Sequence, residues 1–195
     1  MSYESSFSSP MVPLIINDID TDQIIPARYL KVTDKEGLGD TLFADWRYQS
    51  NSQPNPEFIL NQPEYKEARI LLAGDNFGCG SSREHAVWAL CGYGFRAVIS
   101  TSFADIFKNN ALKNGLLPIE VTPTIHQQLV QLVKSAPTTQ VSVDLQTQQV
   151  AWPELKKVKF SVDPFTKYRL MNGVDELGYI FRFESEIRKF EAVRW

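Results

Sequence analysis

This chain is short of the side chains that hold metals and staple folds. Only two cysteines, Cys79 and Cys91, occur in its 195 residues. An iron–sulfur cluster wants about four thiolates, so no cluster is expected on this chain. So few cysteines also argue against a disulfide framework and fit a reducing compartment. Histidine is equally scarce: His85 and His126 are the only two. No His/Cys grouping has zinc spacing, and no metal site is expected.

Basic excess is missing too. Lys and Arg number 20 against 23 Asp and Glu, a net charge of −3. Without a basic block, nucleic-acid binding is not the expected function. No apolar run approaches the roughly 18 residues that span a bilayer. Residues 1–9 contain Glu4 but neither Lys nor Arg, unlike a signal or transit peptide. A cytoplasmic protein with no membrane partner is expected.

What is present suits a globular protein. Apolar residues make up 43% of the chain, enough for a sizeable core. At this length one domain over residues 1–195 is expected, with the polar tract 1–10 frayed. Residues 37–63 are rich in Gly, Asn, Gln and Pro yet hold Phe43, Trp46, Tyr48 and Phe58. That mixture reads as a long excursion pinned by aromatics.

From Arg69 onward, strand and helix patterns alternate. Ile70–Ala73, Ala97–Ser100 and Leu116–Val121 read as buried strands, separated by helices from Ser82 and from Ser102. Ser102 is the expected N-cap of the second helix, and Gly115 its stop. Thr122–Pro123 opens a third helix. This alternation implies parallel pairing. Val141, Val143 and Leu145 alternate as a strand does, and Gln146–Gln149 turns into a partner strand. The strands near the N-terminus, like these later ones, read as hairpin partners. The tail from Phe165 reads as helical, broken at Asn172–Gly173. The expected class is α/β: a mainly parallel central sheet flanked by helices, with additional β structure.

The most unusual segment is Gly74-Asp75-Asn76-Phe77-Gly78-Cys79-Gly80-Ser81-Ser82-Arg83-Glu84-His85-Ala86. Glycines and serines between a strand and a helix build a loop that can approach a ligand closely and aim N–H groups at an anion. Arg83 at the helix start opposes the helix dipole by roughly 0.3–1 kcal/mol, a conflict that a bound carboxylate or, in part, Glu84 would relieve. The loop has no Lys for a phosphate-binding P-loop, and Arg83 stands where a dinucleotide fingerprint needs Gly. The plainer reading is a turn in which Ser81 or Ser82 caps the helix. Ser81, His85 and Asp75 can be assembled into a triad only on paper.

Asp18, Asp20 and Asp22 begin like a calcium loop, but Gln23 and Tyr29 stand where Gly and Glu are required. Three carboxylates at period two on an extended segment repel, so a basic or hydrogen-bonding partner is expected. His126 reads as a surface residue and His85 as a hydrogen-bonded structural one.

NDIDTDQIIPARYL, GDNFGCGSSREHA and RAVISTSFADIFKNNALKNGLLPI together resemble the swivel-domain proteins of the aconitase superfamily, above all the branch whose enzymes isomerise isopropylmalate for leucine biosynthesis. The likeness runs from about Val12 to the C-terminal helices. It implies a swivelling β/β/α domain that binds a hydroxy-dicarboxylate substrate. It also implies a large partner subunit carrying a 4Fe–4S cluster, with no cofactor on this chain. By the same likeness Ser81 is the base that takes the carbon-bound proton and Arg83 grips a carboxylate. Ser82 contacts substrate or caps, and Asp22 lies near the site.

Tricarboxylate enzymes of the superfamily carry a further arginine downstream of the TD motif. Here Arg28-Tyr29-Leu30-Lys31-Val32-Thr33 occupies that region. Arg28 and Lys31 are candidate substrate contacts, while Tyr29, Leu30, Val32 and Thr33 form a candidate specificity loop. Two alternatives stay open at this point. One is a dehydratase small subunit for homoaconitate, citraconate or another alkylmalate. The other is a non-catalytic anion-binding regulatory module.

Overall fold

The computed structural model describes residues 3–31, 34–154 and 156–194. Strands β1 (Ser6–Ser9) and β2 (Met11–Leu14) lead into two single-turn helices, α1 (Thr21–Ile24) and α2 (Ala44–Arg47). Then β3 (Ile70–Ala73), α3 (Glu84–Tyr93), β4 (Ala97–Ser100), α4 (Asp105–Lys113), β5 (Leu117–Glu120) and α5 (Pro123–Ser135) alternate. After β6 (Val141–Asp144), β7 (Gln149–Trp152) and β8 (Lys156–Lys159) come α6 (Pro164–Asn172), α7 (Glu176–Phe181) and α8 (Glu184–Arg194).

Among the described residues the strands form two four-stranded sheets. One is parallel, in the order β2-β3-β4-β5; the other is antiparallel, in the order β1-β6-β7-β8. Every residue of β3 and β4 is buried, the mark of a parallel sheet covered on both faces. β6 instead alternates buried and half-buried residues, as a one-sided antiparallel strand does. One apolar cluster joins the two sheets, with Phe7 and Val143 from one and Val98 and Ile99 from the other. No helix among the described residues is long and apolar enough to cross a membrane.

The N-terminal expectations need correction. Residues 3–10 are not frayed: β1 pairs with β6, Phe7 is buried, and the Tyr3 hydroxyl donates to the Arg96 carbonyl at 3.0 Å. A polar stretch is held here because its ladder bonds and two aromatic anchors are tertiary. β2 is no hairpin partner either. It pairs parallel with β3, which is reached only after the excursion over residues 15–69. That excursion is pinned as its aromatics suggest: Phe43 is fully buried and stacks on Trp46 at 5.5 Å.

Helix ends follow local chemistry in some places and tertiary contacts in others. Thr122 caps α5 with Pro123 behind it, and α6 stops at Gly173 in the left-handed region. The cap of α4 is Ala104, not Ser102. Ser102 is drawn away because its hydroxyl donates to Asp75 at 2.7 Å and accepts from the Asn76 N–H at 2.9 Å.

Since β2 to β5 are parallel, their C-terminal ends share one edge of the sheet. The loops 15–20, 74–83 and 101–104 all leave from it. In open α/β sheets this edge is where ligands bind.

Candidate functional site

Two loops from that edge zip together. Gly78 N–H donates to the Ile19 carbonyl at 2.8 Å, and Thr21 N–H donates to the Cys79 carbonyl at 2.9 Å. The buried Thr21 hydroxyl donates to the Ser81 carbonyl at 2.8 Å. Glycine is required at Gly78: φ is +77°, and a Cβ there would lie 2.3 Å from the Phe107 ring. Gly80, at φ +86°, needs glycine for the same backbone reason.

The three carboxylates of residues 18–22 do not share one side of an extended segment. Asp18 has φ +56° and accepts from Asn76 Nδ2 at 2.8 Å. Asp20 caps α1 in a reciprocal box with Gln23. Asp22 pairs with Arg83. Each has a different partner, which removes the expected repulsion.

That last pair also settles the dipole conflict at α3. Arg83 is the N-cap residue, with extended backbone and no side-chain cap. Asp22 places its charge beside the guanidinium, whereas Glu84 accepts from Asn114 Nδ2 at 2.7 Å. Neither Ser81 nor Ser82 caps the helix. Both are exposed, and among the described residues neither hydroxyl makes a hydrogen bond.

Ser81, Ser82 and Arg83 line an open cleft of about 240 Å³ together with Thr21, Asp105 and Ile106. The last two open α4, which also lacks a side-chain cap, so two helix N-termini face one cleft. Their partial positive ends favour an anion there. Thr21, Asp105 and Ile106 were not foreseen as site residues. Thr21 carried a signal in the TD pair, while Ile106 looks like any helix residue until its place at the cleft is seen.

Arg28 does not join them. It pairs with Asp45 at 2.5 Å, and with Tyr29 it lines a separate hollow of about 540 Å³. Tyr29 and Leu30 are half-buried against the core, and Lys31 is exposed. Val32 and Thr33 lie outside the described residues.

Nor does the paper triad assemble. The Asp75 carboxylate accepts from Ser102 and Thr101, each at 2.7 Å, and these bonds hold its pKa below the ordinary value. His85 packs on Trp88 with ring centroids 4.6 Å apart. His126 is no surface residue: half-buried, its Nε2–H donates to the Ala73 carbonyl at 2.6 Å.

The donor set does not fit an iron–sulfur cluster. Burial pushes the Cys91 thiol up to about 11 and also raises Cys79, so both are protonated near neutrality. Among the described residues no three His, Cys, Asp or Glu side chains form a metal-binding group.

The aconitase C-terminal domain model matches residues 8–124, which span both loops of the cleft. The chain belongs to this family. Its relatives include the 3-isopropylmalate dehydratase small subunit of Roseiflexus sp. (strain RS-1), 57% identical over 190 residues, or 97% of this chain and 93% of that one. The 3-isopropylmalate dehydratase small subunit of Anaeromyxobacter dehalogenans (strain 2CP-C) is 54% identical over 186 residues, covering 95% of each. Among solved structures, the 3-isopropylmalate dehydratase of Methanocaldococcus jannaschii DSM2661 superposes with a TM-score of 0.66 at 28% identity. That match covers 94% of this chain and 98% of the other. The likeness to this solved structure thus extends over nearly the whole chain, beyond the residues that the family model matches.

Proposed function

We propose that this chain is the substrate-binding small subunit of a cytoplasmic hydro-lyase that interconverts 2-isopropylmalate and 3-isopropylmalate. The reaction removes water to give an alkene and adds it back with the hydroxyl on the neighbouring carbon. The observation that carries the reading is that Ser81 and Arg83 line one open cleft, with Asp22 paired to Arg83, in a chain so similar to 3-isopropylmalate dehydratase small subunits.

In this reading Arg83 grips a substrate carboxylate. Asp22 accepts from one nitrogen of its planar fork, and the guanidinium, which lines the cleft, has further N–H donors for a substrate carboxylate. Ser81, as the alkoxide, takes the proton from one substrate carbon while the hydroxyl of the neighbouring carbon leaves as hydroxide toward the partner subunit. Readdition is the reverse with the carbons exchanged. The Ser81 hydroxyl gives its proton to the carbon that lost the hydroxyl, and the hydroxide adds to the other. A serine oxygen is a poor base in water, and the converging N-termini of α3 and α4 stabilise its anionic form. Ser82 supplies a second hydroxyl to the bound acid. Residues 28–33 tune which malate the assembled enzyme accepts.

Because the thiols here do not fit a cluster, the 4Fe–4S group that the family implies is placed on a large partner subunit. The test is coexpression with that large subunit, followed by an anaerobic isomerisation assay over isopropylmalate, homoaconitate and other alkylmalates. Turnover of isopropylmalate ahead of the others supports the reading. Assembly without turnover of any of them would leave an anion-binding module instead.

A further inference from the structure

The opposite edge of the parallel sheet carries a second hollow. Arg96 directly precedes β4 and Gly115 comes just before β5, so both mark the N-terminal edge, away from the cleft. Between them and the end of α6 opens a cavity of about 490 Å³. That lies within the roughly 300–1,000 Å³ of small-molecule sites.

Its charge is out of keeping with the chain. The protein carries a net −3, yet Lys35, Arg96, Lys113 and Arg169 line this cavity against one acid, Asp175. The four cations come from four segments: the long excursion, the turn before β4, the end of α4, and α6. The plainer explanation is that basic residues gather at helix ends. Both α4 and α6 finish here, and a helix C-terminus carries about half a negative charge. Setting Asp175 against Arg169, on the same side of the cavity, leaves three cations. Two helix ends offset roughly one of them, so about two positive charges remain. Among the described residues the side chains of Arg96 and Lys113 make no hydrogen bond or ion pair. Lys35 is held by neutral groups, the Asn114 Oδ1 at 2.8 Å and the Trp88 ring at 5.2 Å. Leu112, Leu170 and Val174 give the same cavity an apolar wall.

We infer that this cavity is a second binding site, for a small organic dianion with an apolar stem. Lys35, Arg96 and Lys113 supply the charges that meet the anionic group, and the stem lies on the wall of Leu112, Leu170 and Val174. A guanidinium beside ammonium groups serves a phosphate monoester and a pair of carboxylates alike. Cations crowded by the fold repel one another, and a bound dianion relieves that repulsion.

The experiment is calorimetric titration of the full chain with n-butyl phosphate, butylsuccinate, inorganic phosphate and butyrate. It is run at about pH 7.5, where a phosphate monoester is doubly charged. Butyl phosphate and butylsuccinate carry the two kinds of dianionic group on one apolar stem. At least one of them should bind at about 1 mM or tighter, the scale of two or three charge-assisted contacts. Inorganic phosphate lacks the stem and butyrate the second charge, so each should bind about tenfold or more weakly. The double change Arg96→Gln with Lys113→Gln should weaken the bound probe about tenfold or more, whereas Arg83→Ala at the other edge should change it by less than about twofold. Arg96 and Lys113 are exposed, and circular dichroism checks the fold of the double variant. In the unaltered chain the same probe should protect Lys113 from acetylation, a readout that needs no variant. Failure of both dianions to bind, binding that survives the double change, or binding lost in Arg83→Ala would overturn the site. Inorganic phosphate or butyrate binding as tightly would overturn the ligand class. None of these outcomes touches the functional reading of the cleft.

Discussion

Thr21 and Ser81, sixty residues apart in the chain, are joined by a 2.8 Å hydrogen bond from a buried hydroxyl to a backbone carbonyl. The bond fixes the backbone of the proposed base without touching its hydroxyl. Asp22, next to Thr21, then falls beside Arg83. One short turn, α1, therefore positions both the proton-transfer group and the carboxylate grip.

Thr21→Val keeps the shape of the side chain and deletes that donor. The Ser81 carbonyl loses its partner, and stability should fall by about 0.5–1.5 kcal/mol in urea unfolding. Turnover in the assembled enzyme should fall further than stability does, with KM little changed, since Ser81 moves and Arg83 does not. A variant with wild-type turnover would show that Thr21 only braces the loop.

Ser81→Ala removes the proposed proton acceptor and almost no volume. Loss of a general base costs roughly 10²–10⁴-fold in kcat. Because the residue is exposed and its hydroxyl makes no hydrogen bond among the described residues, the fold of the chain should be unaffected. Activity within a few-fold of wild type would move the base role elsewhere.

Arg83→Lys keeps the charge but loses the planar fork that can serve Asp22 and a substrate carboxylate together. KM for isopropylmalate should rise, and kcat should fall as well if the grip also orients the reacting carbons. Asp22→Asn should show a milder form of the same defect, because the arginine survives but is no longer held. Steady-state kinetics on the two variants distinguishes the grip from its support.

Asp75 provides a pH signature. Its native pKa lies below the ordinary 3.8 because Ser102 and Thr101 donate to the ionised form. A depressed carboxylate contributes stability that is present above its unfolded pKa. That stability is lost as pH falls below about 3.8 toward the native value. Asp75→Asn should therefore lower stability by a constant amount between pH 6 and 8, where the ionised carboxylate contributes in full, and converge on wild type as pH falls through that window, as read from urea midpoints.

Substrate preference should respond to the loop after Arg28. Val32→Arg or Thr33→Arg in the assembled enzyme should shift kcat/KM toward acids with an extra carboxylate, since a buried carboxylate needs a paired cation and an alkyl group does not. Arg28→Ala should have a smaller effect, because Arg28 is engaged by Asp45. An unchanged substrate ratio in all three variants would place specificity on the large subunit.

By itself the sequence determined whatever depends on a few neighbouring residues. Gly78 and Gly80 announce a loop that only glycine can follow, and both indeed have positive φ. Thr122–Pro123 and Asn172–Gly173 mark helix ends by backbone chemistry alone, and the strand–helix alternation from Ile70 to Ser135 announces the parallel sheet. The serines and arginine of the candidate site were legible in the same way, as residues of one loop. Tertiary structure alone decided who meets whom. Arg83 pairs with Asp22, far away in sequence, and not with its neighbour Glu84, which Asn114 claims. Ser102 leaves its expected cap for Asp75, His126 turns inward to the end of β3, and Arg28 is held by Asp45 outside the cleft. The physical reason is range. Dihedral preferences and caps act over three or four residues, whereas a polar side chain takes the partner that packing brings within 3 Å, and that depends on where every other loop has gone.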